Sequence, residues 1–275
     1  MRNKRSKINF SNFSKKEMIV EVTVKELLEV GAYFGHPSRQ FDPRIRPYLY
    51  GKRQGIYIID ISKTCEKIYQ AAEVLQKFAR ENNPILFVGT KKQARDVIKQ
   101  AAEKAGQPYV NYRWIGGTLT NFEAIRKRIE RLEKIEELEK SGRINYYTKK
   151  EASLIMKEKE DLLKKFEGIR DLNRMPGILF IVDIKKEINA VNEAKKAGIP
   201  IVGIVDTNGN PELVEYPIPA NDDGFKSIQL IVEKLAEAIS EARTEKEIVE
   251  EKENGINEDE IQKEGDNNVT DSGNN

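Results

Sequence analysis

Residues 112–122 read Tyr-Arg-Trp-Ile-Gly-Gly-Thr-Leu-Thr-Asn-Phe and contain the only tryptophan of the 275-residue chain. Before this stretch, apolar runs typical of strands alternate with helical patterns, and after it comes a long, highly charged segment with helical periodicity. Gly116 and Gly117 allow the positive φ or the close backbone approach that a sharp corner needs. Thr120 and Glu123 then have the spacing of a capping box. The stretch therefore predicts a corner at which a helical arm begins.

Residues 119–170 are predicted to form this arm as two helices. Ser141 and Gly142 supply a stop near the middle, and Thr148 and Glu151 have the spacing of a second capping box. Each helix carries a narrow apolar stripe with charge elsewhere, which predicts an antiparallel coiled-coil hairpin. The stripe residues are Phe122, Ile125, Ile129 and Leu132 in the first helix, and Ile155, Leu162, Phe166 and Ile169 in the second.

On both sides of the arm, apolar strands alternate with helical patterns, which predicts a parallel sheet covered by helices on both faces. The predicted strands are 56–61, 85–88, 178–182, 201–205 and a short final strand at 216–219. The predicted helices are one from 23 toward 31 with a capping box at Thr23, then 62–82, one ending at Gly106, 188–197 and 228–242.

The net charge of +2 conceals an asymmetry along the chain. Residues 1–60 contain 12 Lys/Arg and 6 Asp/Glu, whereas residues 241–275 contain 4 and 12. A basic N-terminal region favours an anionic partner such as nucleic acid. An acidic, Asn-rich C-terminal region without aromatic residues predicts disorder. The predicted organisation is a flexible basic extension (1–22), a discontinuous α/β domain (23–111 and 171–240), the coiled-coil hairpin insertion (112–170) and an acidic disordered tail (241–275).

Two classes of protein are disfavoured by composition. No run of about 18 apolar residues exists, so no transmembrane helix is predicted. A single cysteine, Cys65, excludes an internal disulfide and a cysteine-cluster metal site, and it favours a reducing compartment.

A stiff basic loop spans residues 35–48, with three prolines between Pro37 and Pro47 and arginines among aromatics. Such a loop cannot be a helix or a central strand. Guanidinium groups bind phosphates and stack on bases, so RNA binding is favoured; a solvated loop whose aromatics pack on the domain is the alternative.

His36, the only histidine, is interpreted as a structural residue and not as a catalytic base. The arm tip, 143–150, also mixes basic and aromatic residues and is a second nucleic-acid candidate, with a plain turn as the alternative.

An enzyme remains a second hypothesis, because ligands of open parallel sheets bind beyond the carboxyl ends of the strands. Residues 89–92, Asp183 and Asp206 follow predicted strands in this way. The segment 89–92 lacks the glycine spacing of a P-loop, and no dinucleotide fingerprint is present. A divalent ion shared by Asp183 and Asp206 is the less favoured alternative, because such carboxylates more often cap loops and helices. We therefore predict no catalytic residue, no metal and no cofactor; the alternative is a phosphate- or nucleotide-binding enzyme at the Thr90/Asp206 edge.

Several blocks of the sequence resemble one known family. They are 31–37 (Gly-Ala-Tyr-Phe-Gly-His-Pro), 86–91 (Leu-Phe-Val-Gly-Thr-Lys), 113–121 (Arg-Trp-Ile-Gly-Gly-Thr-Leu-Thr-Asn), 204–208 (Ile-Val-Asp-Thr-Asn), Pro200 and 218–223 (Ile-Pro-Ala-Asn-Asp-Asp). Together, in this order over about residues 20–240, they resemble the bacterial-type second protein of the small ribosomal subunit. Residues 37–43 depart from the usual Gln-Thr-Arg-Arg-Trp-Asn-Pro of such loops but keep their basic, aromatic character.

The resemblance implies a non-catalytic, RNA-binding ribosomal component. It implies a Rossmann-like or flavodoxin-like three-layer α/β domain carrying a coiled-coil hairpin. The implied partners are small-subunit ribosomal RNA and neighbouring ribosomal proteins, including the large first protein of that subunit in bacteria, with no membrane and no small-molecule substrate. The implied location is the cytoplasmic ribosome, with an organellar ribosome as the alternative. The residues predicted to contact RNA are Arg39, Arg44, Arg46, Lys52, Arg53, Lys91, Lys92, Arg113, Trp114, Arg143, Tyr146, Tyr147, Lys149 and Lys150.

Overall fold

A computed structural model describes residues 22–244 and residue 246. The predicted extension up to residue 21 and the tail beyond residue 246 lie outside the described residues. The helices are α1 (Val24–Glu29), α2 (Ile61–Arg80), α3 (Arg95–Lys104), α4 (Phe122–Lys140), α5 (Lys149–Phe166), α6 (Ile188–Ala197) and α7 (225–244). The strands are β1 (Phe34–Pro37), β2 (Leu49–Arg53), β3 (Ile56–Ile59), β4 (Ile85–Val88), β5 (Tyr109–Val110), β6 (Ile178–Val182), β7 (Ile201–Val205) and β8 (Tyr216–Pro219).

The central sheet has five parallel strands in the order β5-β4-β6-β7-β8. The predicted strands 85–88, 178–182, 201–205 and 216–219 are confirmed with the same bounds. Pro217 and Pro219 are tolerated in β8 because it is an edge strand. The order is that of flavodoxin-like sheets, whose ligand crevice lies where the chain reverses direction across the sheet, here between β4 and β6.

The predicted strand at 56–61 does not belong to this sheet. It is β3, the centre of a separate antiparallel sheet with the order β1-β3-β2. The reason is a two-residue turn at Gln54 and Gly55, which have φ values of 50° and 81°. Two positive φ values fit the tight turns that send a chain back antiparallel to itself. The loop expected to lack helix also contains two short 3-10 turns, Ser38–Gln40 and Pro43–Tyr48.

Both faces of the parallel sheet are buried. Ile85 and Phe87 of β4 pack with residues of α2, α3 and α7, whereas Leu86 and Val88 pack with residues of α6. Because side chains alternate along a strand, the same division holds for β6, and the domain has three layers. None of the described helices combines the length and the apolarity needed to cross a bilayer.

Helices α4 and α5 run alongside each other and are joined by a 3-10 turn at Arg143–Tyr146. The predicted stop is confirmed, since Gly142 has a left-handed φ of 69°, and so is the capping box at Thr148. The expectation that the arm has an apolar seam of its own is wrong for its base. Ile125, Ile129 and Phe166 belong to the same core cluster as the face of the sheet that α6 covers.

Candidate nucleic-acid interface

The basic loop is held by Ile45, which is completely buried among core residues of the sheet. Asp42 caps the 3-10 turn that begins at Pro43, because its carboxylate accepts a hydrogen bond from the N–H of Arg44 at 3.0 Å. With Ile45 pointing inward, the neighbouring Arg44 and Arg46 are exposed. The loop is therefore a fixed platform that presents charge outward.

Thr207, at the carboxyl end of β7, joins the loop to the parallel sheet. Its hydroxyl accepts from the N–H of His36 at 2.7 Å, and its carbonyl accepts from the N–H of Asp42 at 2.9 Å. A Cβ atom on Gly35 would lie 2.4 Å from the Thr207 methyl group, so only glycine permits this close approach. We call residues 34–59, which contain β1, β2, β3 and the loop, the basic lobe.

The cationic side chains of the basic lobe differ in their partners. Arg44 forms a bidentate pair with Asp42, with hydrogen bonds of 2.9 and 2.7 Å, and this pairing lowers the pKa of the Asp42 carboxyl. Arg39, Arg46 and Arg53 are exposed and form no ion pair with other described residues. These three are therefore the guanidinium groups of the lobe that are available to phosphates, whereas the charge of Arg44 is already compensated.

Lys91, predicted to contact RNA, instead points into the protein. Its ammonium lies 3.1 Å from a carboxylate oxygen of Asp183, 2.7 Å from Asp222 and 2.6 Å from Asp223, and its side chain is 12% exposed. Burial opposes the charge, but these carboxylates outweigh it and raise the pKa of Lys91. Lys92, by contrast, is exposed.

His36 joins the same cluster from the side of the basic lobe. Its Nδ1 lies 3.1 Å from Asp206, and its Nε2 lies 3.1 Å from Asp223. The hydrogen bond to Asp206 raises the pKa of His36 although burial acts in the opposite direction. We refer to His36, Lys91, Asp183, Asp206, Asp222 and Asp223 as the carboxyl-edge cluster.

Four members of the carboxyl-edge cluster could hold a divalent cation. Ligand atoms of His36, Asp206, Asp222 and Asp223 all lie within 4.8 Å of one another. Imidazole nitrogen and carboxylate oxygen are suitable donors, but Asp222 and Asp223 already bind the ammonium of Lys91, and Asp206 is paired with His36. The sequence indicated Asp183 and Asp206 as candidate ligands but not the Asn-Asp-Asp segment at 221–223, whose signal was its place at the end of β8.

The end of β4 is not an open phosphate cradle. The N–H and hydroxyl of Thr90 both donate to one carboxylate oxygen of Glu187, at 2.9 and 2.5 Å. Glu187 is 3% exposed, and burial raises its pKa. A phosphate at this point would have to displace an internal carboxylate, which argues against the nucleotide-binding alternative.

The predicted RNA contacts at the corner and the arm tip differ in exposure. Arg113 is exposed, but Trp114 is 7% exposed and its indole N–H donates to Glu193, so Trp114 has no free ring face for a base. At the tip, Tyr146 is 89% exposed, and Arg143 pairs with Glu137 at 2.8 Å. The other predicted tip residues, Tyr147, Lys149 and Lys150, are exposed.

An aromatic groove on the outer face of the basic lobe was missed by sequence reasoning. It encloses about 520 Å³, and its apolar lining is Tyr33, Phe34, Tyr50, Ile56 and Ile58. Tyr50 is 82% exposed and Phe34 46%. The continuous apolar run of β3 predicts a buried strand, but such a run does not distinguish a face that packs on the domain from one left open. The rest of the lining is Gly51, Lys52, Arg53 and Gln54.

Comparison with known proteins gives one consistent family. The family model described as ribosomal protein S2 matches residues 27–242, which include the parallel sheet, the arm and the basic lobe. The chain is 49% identical over 222 residues to the small ribosomal subunit protein uS2 of Coprothermobacter proteolyticus, covering 81% of this chain and 83% of that protein. The same identity and coverage hold for the protein of that name from Nitratiruptor sp..

Proposed function

The chain belongs to the ribosomal protein S2 family, and on that premise we propose that it is a structural constituent of the small ribosomal subunit, not an enzyme. The observation that carries this function is the family match across residues 27–242. The test is sedimentation of the protein with small ribosomal subunits through a high-salt sucrose gradient. We expect co-sedimentation, and protein that stays at the top of the gradient would contradict the function.

We propose that the basic lobe and the arm tip are its two contacts with ribosomal RNA. Support comes from the exposed Arg39, Arg46 and Arg53 in the lobe and from Tyr146 and Lys150 at the tip. Exposed guanidinium groups suit phosphates, and exposed tyrosines suit unstacked bases. We also propose that α4 and α5 form an antiparallel coiled coil that separates the two contacts, and that the ribosome concerned is cytoplasmic.

The lobe contact is tested by the salt dependence of RNA binding. Replacing Arg39 and Arg46 by Gln should reduce the slope of log affinity against log salt by about one unit for each lost phosphate contact. The matched control is Asp42→Asn with Arg44→Gln, which removes an internally compensated pair and should leave the slope unchanged. An unchanged slope in the Arg39/Arg46 variant would show that the lobe does not touch phosphate.

We propose that the aromatic groove binds a neighbouring ribosomal protein, namely the large first protein of the subunit. Exposed aromatic clusters of this kind mark protein interfaces, where aromatic side chains dominate the binding energy. The variant Tyr50→Ser should weaken capture of the purified first protein, whereas Tyr146→Ser at the arm tip should not. Equal capture by both variants would remove the groove from the interface.

A thermal-shift screen with nucleotides tests the enzyme alternative at the Thr90/Asp206 edge. We expect no change in melting temperature, because Glu187 occupies the donors of Thr90. A nucleotide that raised the melting temperature progressively as its concentration increased would support the alternative.

A further inference from the structure

The carboxylate of Glu193 lies inside the corner from which the arm begins. One oxygen accepts from the indole N–H of Trp114 and the N–H of Gly117, both at 2.9 Å. The other accepts from the N–H of Leu119 at 3.0 Å and from the N–H and hydroxyl of Thr120 at 3.2 and 3.1 Å. Five donors from the corner thus converge on one side chain of α6.

This arrangement replaces the capping box predicted for the start of α4. The helix begins at Phe122, and its N-cap residue Asn121 makes no side-chain hydrogen bond, so the predicted pairing of Thr120 with Glu123 is wrong. Gly117 has a φ of 91°, a left-handed value that favours glycine and lets the chain curl around the carboxylate. The donors of Thr120 therefore bond to a different element.

The two sides of this contact belong to different elements of the fold. Glu193 is 9% exposed on α6, whose Ala190, Val191 and Ala194 pack in the core of the sheet. The corner, by contrast, leads directly into the projecting arm. Hydrogen bonds to an ionised acceptor are stronger than neutral ones, so the carboxylate is well suited to fix the corner on the rigid sheet. Burial alone would raise the pKa of Glu193, but the bonds from Trp114 and the backbone outweigh it and lower the pKa.

We propose that Glu193 is a positioning residue that sets the direction in which the arm leaves the domain, by filling an anion cradle formed by residues 114–120. The functional part of this inference rests on the proposed function, since arm direction matters only if the tip must reach a second site on the subunit. The cradle itself is independent of that function. The geometry also predicts chemical rescue: with the side chain removed, the cradle should accept a small carboxylate.

The first test measures the arm in the isolated full-length protein. Spin labels at Glu73→Cys on α2 and Asn145→Cys at the arm tip, in a Cys65→Ser background, report the distance between domain and tip. Glu193→Ala should broaden this distance distribution and shift the emission of the single tryptophan, and formate should reverse both changes. Lys195→Gln, an exposed position on the same helix, is the control and should change neither.

The second test measures co-sedimentation with small subunits, using Glu193→Gln, whose amide presents hydrogens to the donors. We expect a several-fold loss of bound protein while thermal unfolding remains cooperative. If Glu193→Gln fails to fold, Thr120→Val removes one donor only and should produce a smaller change in the same direction.

The outcomes separate the cradle from the proposed function. A lower melting temperature with an unchanged distance distribution would overturn the inference, because Glu193 would then act on stability alone. Absence of rescue by formate would overturn the anion cradle. A broadened distance distribution in the Glu193 variants with unchanged co-sedimentation would overturn the need for a fixed arm. Failure of the wild-type protein to co-sediment with small subunits would instead overturn the proposed function.

Discussion

At the scale of single residues, the ammonium of Lys91 is the cation around which three carboxylates of the carboxyl-edge cluster gather. Asp222 is 2% exposed, and its contact of 2.7 Å to Lys91 opposes the cost of burying its carboxylate only in part. The adjacent Lys92 has the same side chain but is exposed. The two lysines therefore form a matched pair that differs in burial and in ion pairing.

Replacing Lys91 by Met should lower the free energy of unfolding by about 3–5 kcal/mol, because buried carboxylates would lose their cation. Lys92→Met should change it by less than about 0.5 kcal/mol, because Lys92 is exposed. Urea denaturation measures the first effect. Equal stability of the two variants would show that the Lys91 pairs contribute nothing to the fold.

The carboxyl-edge cluster also predicts a pH dependence of stability. Burial and the carboxylates of Asp183 and Asp206 raise the pKa of Asp222 to about 7, and the hydrogen bond to Asp206 raises that of His36. Both groups bind protons more tightly in the folded state, so the stability they contribute is present at low pH and lost as pH rises through their folded pKa values.

The free energy of unfolding should therefore fall between about pH 5 and about pH 8. Few other side chains titrate in this window, since the chain has one histidine. The measurement is urea denaturation in the presence of a chelator, with Asp222→Asn as the comparison, which should give a flatter profile. Stability that rises with pH over this range would contradict the assignment.

At the scale of elements, the arm consists of a base shared with the core and a distal part that is not. In the base, Ile125, Ile129 and Phe166 pack in the core on the face of the sheet that α6 covers. Farther out, Leu132 and Ile135 of α4 are fully buried, and the two helices are also joined by ion pairs such as Arg131 with Glu158 at 2.8 Å. Leu132 and Ile135 lie outside the core clusters of the domain, and surface ion pairs contribute little to stability, so the distal arm adds little to the stability of the domain.

Replacing residues 139–159 by a short Gly/Ser linker should leave the melting temperature within a few degrees of wild type. Replacing the whole of 119–170 should abolish cooperative unfolding, because each large core side chain that is lost costs about 2–5 kcal/mol. Thermal unfolding followed by circular dichroism distinguishes the two deletions. Loss of cooperativity in the shorter deletion would mean that the distal arm supports the domain.

At the scale of the whole molecule, the family match and the α/β domain end at nearly the same place. The match stops at residue 242, and Arg243 at the end of α7 donates hydrogen bonds of 2.9 Å to the carbonyls of Ala105 and Gly106. These bonds fasten the last described helix to the loop before β5. The acidic segment that follows, residues 247–275, contains no aromatic residue.

Truncation after Lys246 should therefore change the melting temperature by no more than about 1 °C. Arg243→Met should lower it by about 2–4 °C, since the loss of its bonds costs on the order of 1 kcal/mol. Differential scanning calorimetry of both variants is the measurement. A drop of several degrees on truncation would show that the tail docks on the domain.

Local patterns in the sequence were sufficient for those elements whose form depends on neighbours in the chain. Strands β4, β6, β7 and β8 have the predicted bounds, because a strand buried on both faces is apolar at every position. The capping boxes at Thr23 and Thr148 form as predicted, since each involves residues three positions apart. The motif blocks occur in the same order as in the family and so identified it, and the comparisons confirm the family.

Only the tertiary structure decided the role of residues whose partners are distant in sequence. Thr120 bonds to Glu193 across more than seventy positions, and Lys91 meets Asp222 from another strand end. Strand β3 pairs in the small antiparallel sheet because of the turn at Gly55 and because the basic lobe docks on Thr207. Sequence spacing carries information about contacts within a helix or a strand, but burial and charge compensation depend on which elements the fold brings together.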